Sequence, residues 1–242
     1  MLFHSQSPNE FSISPLEIES WLPTAPRLGV EKIMQLRPTR TTSLPAAIQP
    51  FDKHQSVARD DRPTTFLHFY VSDQKLLPIF RNPKRYVYRF SQFGGIIGPD
   101  LSVYRNMAPS SRAFHISANR ALTRLFQDHG ISTIPNIRWA VESDFDNCFL
   151  GVPENSNVAV STHGCCRTFE DRACLRVGLL QLLQRVQPAN LVVHGQLPSD
   201  VFFGVDEHTN VLHFQSDSAL AHRARVCSQE TSLSKQLTLE FT

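Results

Sequence analysis

The sequence predicts an α/β fold of repeated strand–helix units arranged around a mainly parallel sheet. Short apolar runs begin near residues 65, 94, 131, 157 and 190, roughly 26 to 37 residues apart. That spacing is the length of a strand plus the helix that returns the chain to a parallel neighbour. The runs are continuously apolar rather than alternating, as expected of strands covered by helices on both faces. Helical periodicity fills the intervals between them.

The chain opens irregularly. Residues 1–63 hold eight of the sixteen prolines (Pro8, Pro15, Pro23, Pro26, Pro38, Pro45, Pro50 and Pro63), which interrupt regular elements repeatedly. One helix is expected to begin at Pro15, since proline suits the first helical turn and acidic residues follow. Residues 37–62 read as extended chain laid on the domain. The organisation expected is therefore a proline-rich extension over 1–63, packed on or tethered to the domain, then an α/β domain over 64–218 and a polar tail over 219–242.

The first strand is Thr65-Phe-Leu-His-Phe-Tyr-Val71, followed by Ser72-Asp73 and a helical stretch rich in Leu, Phe and Tyr. The second is Gly94-Gly-Ile-Ile-Gly98, ending at Pro99-Asp100. A long amphipathic helix carries Phe114, Ala118, Ala121, Leu122 and Leu125 on one stripe and stops at Gly130. Ile131-Ser-Thr-Ile-Pro135 and Asn157-Val-Ala-Val-Ser161 are the third and fourth strands. A further helix is expected to be capped by Thr168 and to bury Ala173, Val177, Leu180, Leu183 and Val186. The fifth strand is Asn190-Leu-Val-Val-His194, and Val211-Leu-His-Phe-Gln215 adds a sixth, parallel or antiparallel. Five or six units fall short of eight, so two architectures fit: an incomplete or irregular TIM-like barrel, or an open doubly wound sheet.

Bulk properties narrow the function classes. A chain of 242 residues with 41% hydrophobic and 19% charged residues suits one large globular domain. The net charge of +2 is too small to argue for nucleic acid or acidic lipid as a partner. No run approaches the roughly 18 to 20 apolar residues that span a bilayer, so no membrane association is expected. Residues 1–21 lack a basic start and an apolar core and carry Glu10, Glu17 and Glu19, unlike an export signal. A cytoplasmic location with its five cysteines as thiols is the expectation.

In parallel α/β folds, ligands bind at the carboxyl ends of strands, where loops meet helix N-termini. The rule selects a residue set. Asp73 and Asp100 are the candidate acid/base or ligand-orienting carboxylates. Ser102, Tyr104, Asn136, Arg138, Thr162 and His194 are candidate substrate hydrogen-bonding residues, with Trp139 as a stacking face. The competing account is that polar strand-end residues cap helices and satisfy loop backbone. Thr162-His-Gly-Cys-Cys-Arg167 has the outline of an activated thiol with His163 as base, against which stands the frequency of inert core cysteines. The cysteine spacing is not that of structural zinc. A mononuclear site would need His163, His194 and Asp100 to converge. Neither phosphate-binding glycine fingerprint is present, so the sequence specifies no cofactor. Arg81, Lys84, Arg85 and Arg89 recur at helical spacing among Tyr86, Tyr88 and Phe90, which reads as a solvated basic face backed by aromatic core.

An ordered set of short motifs resembles one known family. They are Ile48-Gln-Pro-Phe-Asp52, Phe69-Tyr-Val-Ser-Asp73, Asn82-Pro, Gly98-Pro-Asp-Leu-Ser-Val-Tyr104, Asn119-Arg120, Ile134-Pro-Asn-Ile-Arg-Trp139 and Val158-Ala-Val-Ser-Thr162. Together they cover residues 45–195 and are similar to the uncharacterised bacterial, phage and mobile-element family catalogued as domain of unknown function 4417. The resemblance implies no established activity. Its members typically carry a small or apolar residue where this chain has His163, which moves weight to Asp73, Asp100, Ser102, Tyr104 and Trp139. Association with mobile elements implies, by analogy, a nucleotide- or nucleic-acid-related task. The alternative is a noncatalytic protein acting on a host or phage partner.

Overall fold

The computed structural model describes residues 14–39, 43–216 and 219. Apart from residue 219, the expected polar tail lies outside the described residues. Helix α1, Pro15–Trp21, begins with proline in its first turn, as the sequence predicts. Strands β1, Arg27–Leu28, and β2, Ile33–Met34, form a short antiparallel pair. Ile18, Leu22 and Met34 bury themselves with the long central helix, so this opening stretch contributes to the core.

Strand β3, Ala47–Pro50, lies where extended chain was expected and pairs parallel with β4, Thr65–His68. A proline at its end is tolerated because β3 is the outermost strand of its sheet among the described residues. Helix α2, Asp73–Arg81, and helix α3, Lys84–Phe90, share the aromatic-rich stretch, which breaks at Asn82-Pro83. Strand β5, Gly95–Ile97, follows. A side chain on Gly95 would stand 2.5 Å from the Ser132 carbonyl oxygen and from the Phe66 ring, so only glycine allows the strand to pack there.

Helix α4, Pro109–Asp128, buries Ala118, Ala121, Leu122 and Leu125 of the predicted stripe, leaves Phe114 half-buried, and stops at Gly130, whose φ of 77° suits glycine. Strand β6, Thr133–Ile134, helix α5, Phe145–Cys148, and strand β7, Asn157–Ser161, come next. Helix α6, Phe169–Val186, is capped by Thr168, with Asp171 closing a capping box. Its buried face is Leu175, Gly178, Leu179, Leu182 and Val186; of the expected stripe Val186 is buried and Leu183 packs on the core, while Ala173, Val177 and Leu180 face outward. The helix is apolar on several sides, and Trp139 decides which face turns in. A Cβ on Gly178 would meet the indole at 2.1 Å, so this glycine is the groove that receives it. Strand β8, Asn190–His194, helix α7, Ser199–Phe202, and strand β9, Asn210–Phe214, complete the chain order.

Strands β3-β4-β5-β6 form one parallel sheet and β7-β8-β9 another. Strand β9 is parallel; the crossover through α7 and its loops resolves the orientation left open by the sequence. An isolated parallel bridge from Asn136 to Ala159 joins the two sheets. The strands thus follow one another in chain order. No pairing closes β9 on β3 among the described residues, so the α/β sheet is unclosed.

The sheet is nonetheless curled. Phe66, Ile97, Ile134, Ala159 and Val192, one from each of β4 to β8, form a fully buried cluster with Ile48, Leu212 and Phe214 packed against it. The rings of His68 and His194, from β4 and β8, meet at 4.9 Å across this concave face. The helices cover the convex side with two larger clusters. Among the described residues, no helix is long and apolar enough to cross a membrane.

Candidate functional site

Because side chains alternate along a strand, the concave face can be followed upward from its apolar cluster in steps of two. Phe66 is followed by His68 and Tyr70, Ile134 by Asn136, Ala159 by Ser161, and Val192 by His194. The face is apolar at the amino ends and polar at the carboxyl ends. Buried polar groups persist only when paired, so this end of the sheet is wired together.

The wiring runs in one direction. The Tyr70 hydroxyl donates to Asn136 Oδ1 at 3.0 Å, and Asn136 Nδ2 donates to Asp100 Oδ1 at 2.8 Å. Arg138 donates from a terminal guanidinium nitrogen to the second oxygen, Oδ2, at 3.2 Å. Tyr70 also stacks on His194, centroids 4.4 Å apart at 13°. His194 Nδ1 faces the Ser161 hydroxyl at 3.1 Å, and that hydroxyl accepts the His163 backbone N–H. Burial raises the Asp100 carboxyl above its ordinary value, against the opposing effects of Arg138 and the Asn136 hydrogen bond. Tyr70 is pushed well above its ordinary value, first by burial and then by the Asp100 charge. Burial works against the charge of Arg138, yet Asp100 holds the guanidinium pKa above normal.

Asp73 occupies the first position of α2 and turns away from the helix. Its Oδ1 accepts both the backbone N–H and the hydroxyl of Ser102, each at 3.0 Å. This ties the loop after β4 to the loop after β5. The second loop is held from below by three side chains at helical spacing on α4. Asn119 takes both the N–H and the carbonyl of Leu101, His115 Nδ1 meets the Ser102 carbonyl at 2.6 Å, and Arg112 donates to the Met107 carbonyl at 2.6 Å. Arg112 is in turn paired with Asp144, both side chains almost wholly buried.

Above this floor lies an open cleft of about 1730 Å³. Of the residues selected from sequence, Asp73, Asp100, Ser102, Tyr104, Arg138 and Trp139 line it. Asn136, Thr162 and His194 sit beneath, holding the lining in place. Thr162 donates from its hydroxyl to the Gln196 carbonyl, which fixes the loop after β8. Trp139 reaches the cleft only at its margin. The residue is 7% exposed, and its ring packs against Phe145 and Phe149 while Nε1 donates to the Cys174 carbonyl. Tyr104, half exposed, has the freer aromatic face.

His68, Tyr70 and Ser161 were hidden in sequence by lying within apolar strand runs; the period-two alternation leading up to Tyr70 was the available signal. Cys165 and Cys174 border the cleft; burial pushes Cys166 up to about 11 and also raises Cys174 and Cys148, the opposite of thiolate activation at these three. His163, His194 and Asp100 do not make a metal centre. Among the described residues no group of three or more His, Cys, Asp or Glu side chains is placed to hold an ion.

The family model described as Domain of unknown function (DUF4417) matches residues 26–215, and the chain belongs to this family. The Gene 1 protein of Mycobacterium phage D29 is 30% identical over 195 residues, which cover 81% of this chain and 70% of the relative. The Gene 1 protein of Mycobacterium phage L5 is 30% identical over 193 residues, 80% of this chain and 81% of the relative. No solved structure matches the chain.

Proposed function

We propose that this family member binds a small polar ligand or substrate at the carboxyl ends of its strands, which act as an incomplete TIM-like barrel, and that Asp73 is its proton-exchanging group. The observation that supports this reading is the graded concave face, apolar below and hydrogen-bonded above, ending in a cleft. Such a floor holds its polar groups in one arrangement before any ligand arrives.

The two carboxylates have different tasks. Both oxygens of Asp100 are engaged, by Asn136 and Arg138, so Asp100 orients its neighbours. Asp73 uses Oδ1 for Ser102, and its other oxygen has no partner among the described residues. That oxygen can accept a hydrogen bond or a proton from a ligand hydroxyl or amide in the cleft. Tyr104 supplies a ring face and Arg138 a charge, a combination that suits a nucleotide or an unpaired base. The phage relatives fit a nucleic-acid-related task by analogy.

A thermal-shift screen of nucleotides, sugar phosphates and other polar metabolites tests the reading. At least one class raises the melting temperature of the native chain. Asp73→Asn, whose own melting temperature moves by only about 2–4 °C for a loss near 1 kcal/mol, removes the shift. A shift that survives this substitution contradicts the assignment of Asp73.

A second reading is a noncatalytic partner-binding protein. Tyr88 is 79% exposed beside exposed Arg81, Lys84, Arg85 and Arg89, an unusual display for a large aromatic. On that reading, replacing Arg81, Lys84 and Arg85 with alanine abolishes salt-sensitive partner capture while Asp73→Asn leaves it intact.

A further inference from the structure

The charges lining the cleft are unevenly satisfied, and the imbalance indicates a ligand class. Each lining carboxylate has at least one oxygen held by the protein. Asp73 is held by Ser102, Asp100 by Asn136 and Arg138, and Asp171 by the Thr168 backbone N–H and by Arg105 at 3.5 Å. The cations are not matched in the same way. Arg81 and Arg167 line the cleft, are exposed, and have no ion-pair partner among the described residues. Arg138 spends one terminal nitrogen on Asp100, while its Nε is buried with no acceptor. A buried donor without an acceptor is uncommon, so Arg138 is incompletely satisfied by the protein alone.

The start of α4 adds to this field. Ser110 and Ser111 in its first turn line the cleft, and that turn carries neither an acidic residue nor a side-chain cap. Pro109 has no N–H, so the N–H groups of Ser110 and Ser111 are the ones this 20-residue helix start leaves without a side-chain cap. Helices α2 and α6 also begin near the cleft, but with Asp73 and with Glu170 and Asp171.

We propose that the ligand is a phosphate ester whose phosphate is received by Arg81, Arg138, Arg167 and the first turn of α4. The inference rests on reading the cleft as a ligand site and names the class of ligand. A phosphate offers several charged oxygens to donors arriving from different directions, which matches an arginine closing α2, two arginines on separate loops and a helix start. The cleft, about 1730 Å³, exceeds the roughly 300–1000 Å³ of a typical small-molecule pocket. The size leaves room for a nucleotide or for the end of a single strand.

Calorimetric titration of the full chain with pyrophosphate tests the proposal. Saturable binding is expected, weakening steeply between about 50 and 200 mM salt. The double variant Arg81→Ala/Arg167→Ala, both exposed positions, is expected to bind at least roughly tenfold more weakly with an unchanged melting temperature. Absence of saturable binding, or a double variant that binds as tightly, overturns the proposal. If instead a non-phosphate metabolite binds in an Asp73-dependent way, the ligand site stands and only the phosphate assignment falls. A 5′-phosphorylated decathymidylate separates the two sources. Binding much tighter than pyrophosphate, lost in Lys84→Ala/Arg85→Ala/Arg89→Ala, assigns the phosphate to a strand. Binding no tighter than pyrophosphate assigns it to a mononucleotide.

Discussion

Replacing Arg138 with methionine removes the cation beside Asp100 while preserving much of the side chain's length. The pair's side chains are 13% and 9% exposed, so solvent cannot compensate the carboxylate that remains. Removing one partner of a buried pair costs about 3–5 kcal/mol. For a domain of this size each kcal/mol lowers the melting temperature by about 2–4 °C, which gives a drop of roughly 6–20 °C.

The loss also depends on pH, with a definite sign. Burial already raises the Asp100 carboxyl above its unfolded value, so the native chain binds its proton more readily than the unfolded chain does. Its ionisation therefore erodes stability as pH rises from the unfolded pKa through the folded one. Without Arg138 the folded value climbs further and that window extends upward. The difference between the two proteins is small in acid, where Asp100 is neutral in both, and reaches its maximum above the variant's folded value. Urea denaturation of both proteins from acid to neutral pH measures this directly. Asp100→Asn/Arg138→Met should lose less than the sum of its single changes. A variant within about 1 kcal/mol of the native chain at neutral pH, or a pH-independent difference, refutes the role of the pair.

Other substitutions probe neighbouring parts of the account. Asn119→Ala loses both bonds to Leu101 and should cost about 1–3 kcal/mol, with faster hydrogen exchange over residues 100–107 as the local readout. Gly178→Ala drives a methyl into the Trp139 indole, so denaturant unfolding should show a loss of about 1–3 kcal/mol despite the gain in helix propensity. The Cys166 thiol, with its pKa near 11, should alkylate with iodoacetamide at neutral pH on the order of a hundredfold more slowly than a free cysteine.

The parallel sheet was legible because its central strands are short apolar runs separated by helix-length intervals. Strand β3 was not, since Ala47-Ile-Gln-Pro50 sits among prolines and has half-exposed positions that carry no alternation. The buried face of α6 is not legible in the sequence for a different reason. Its apolar residues surround the helix, and only the approach of Trp139 to Gly178 selects a face. At the site, the rule of strand carboxyl ends led to Asp73, Asp100, Ser102 and Arg138, which line the cleft together. The same rule could not separate lining from support, so Asn136, Thr162 and His194 fall beneath the surface. Trp139 is largely core because an indole gains more from packing than from exposure. Tyr70 lay two residues beyond His68 on the inward face, a pattern concealed by the apolar neighbours on the outward one.

The most direct test of the account is hydrogen exchange with and without saturating pyrophosphate, repeated with the metabolite that gives the largest thermal shift. Protection is expected in the strand-end loops, residues 70–74, 100–111, 138–140 and 161–168, and it should vanish in Arg81→Ala/Arg167→Ala for pyrophosphate and in Asp73→Asn for the metabolite. Protection confined to residues 84–90, or spread evenly over the helices with the loops unchanged, would contradict a ligand site at the carboxyl ends of the strands.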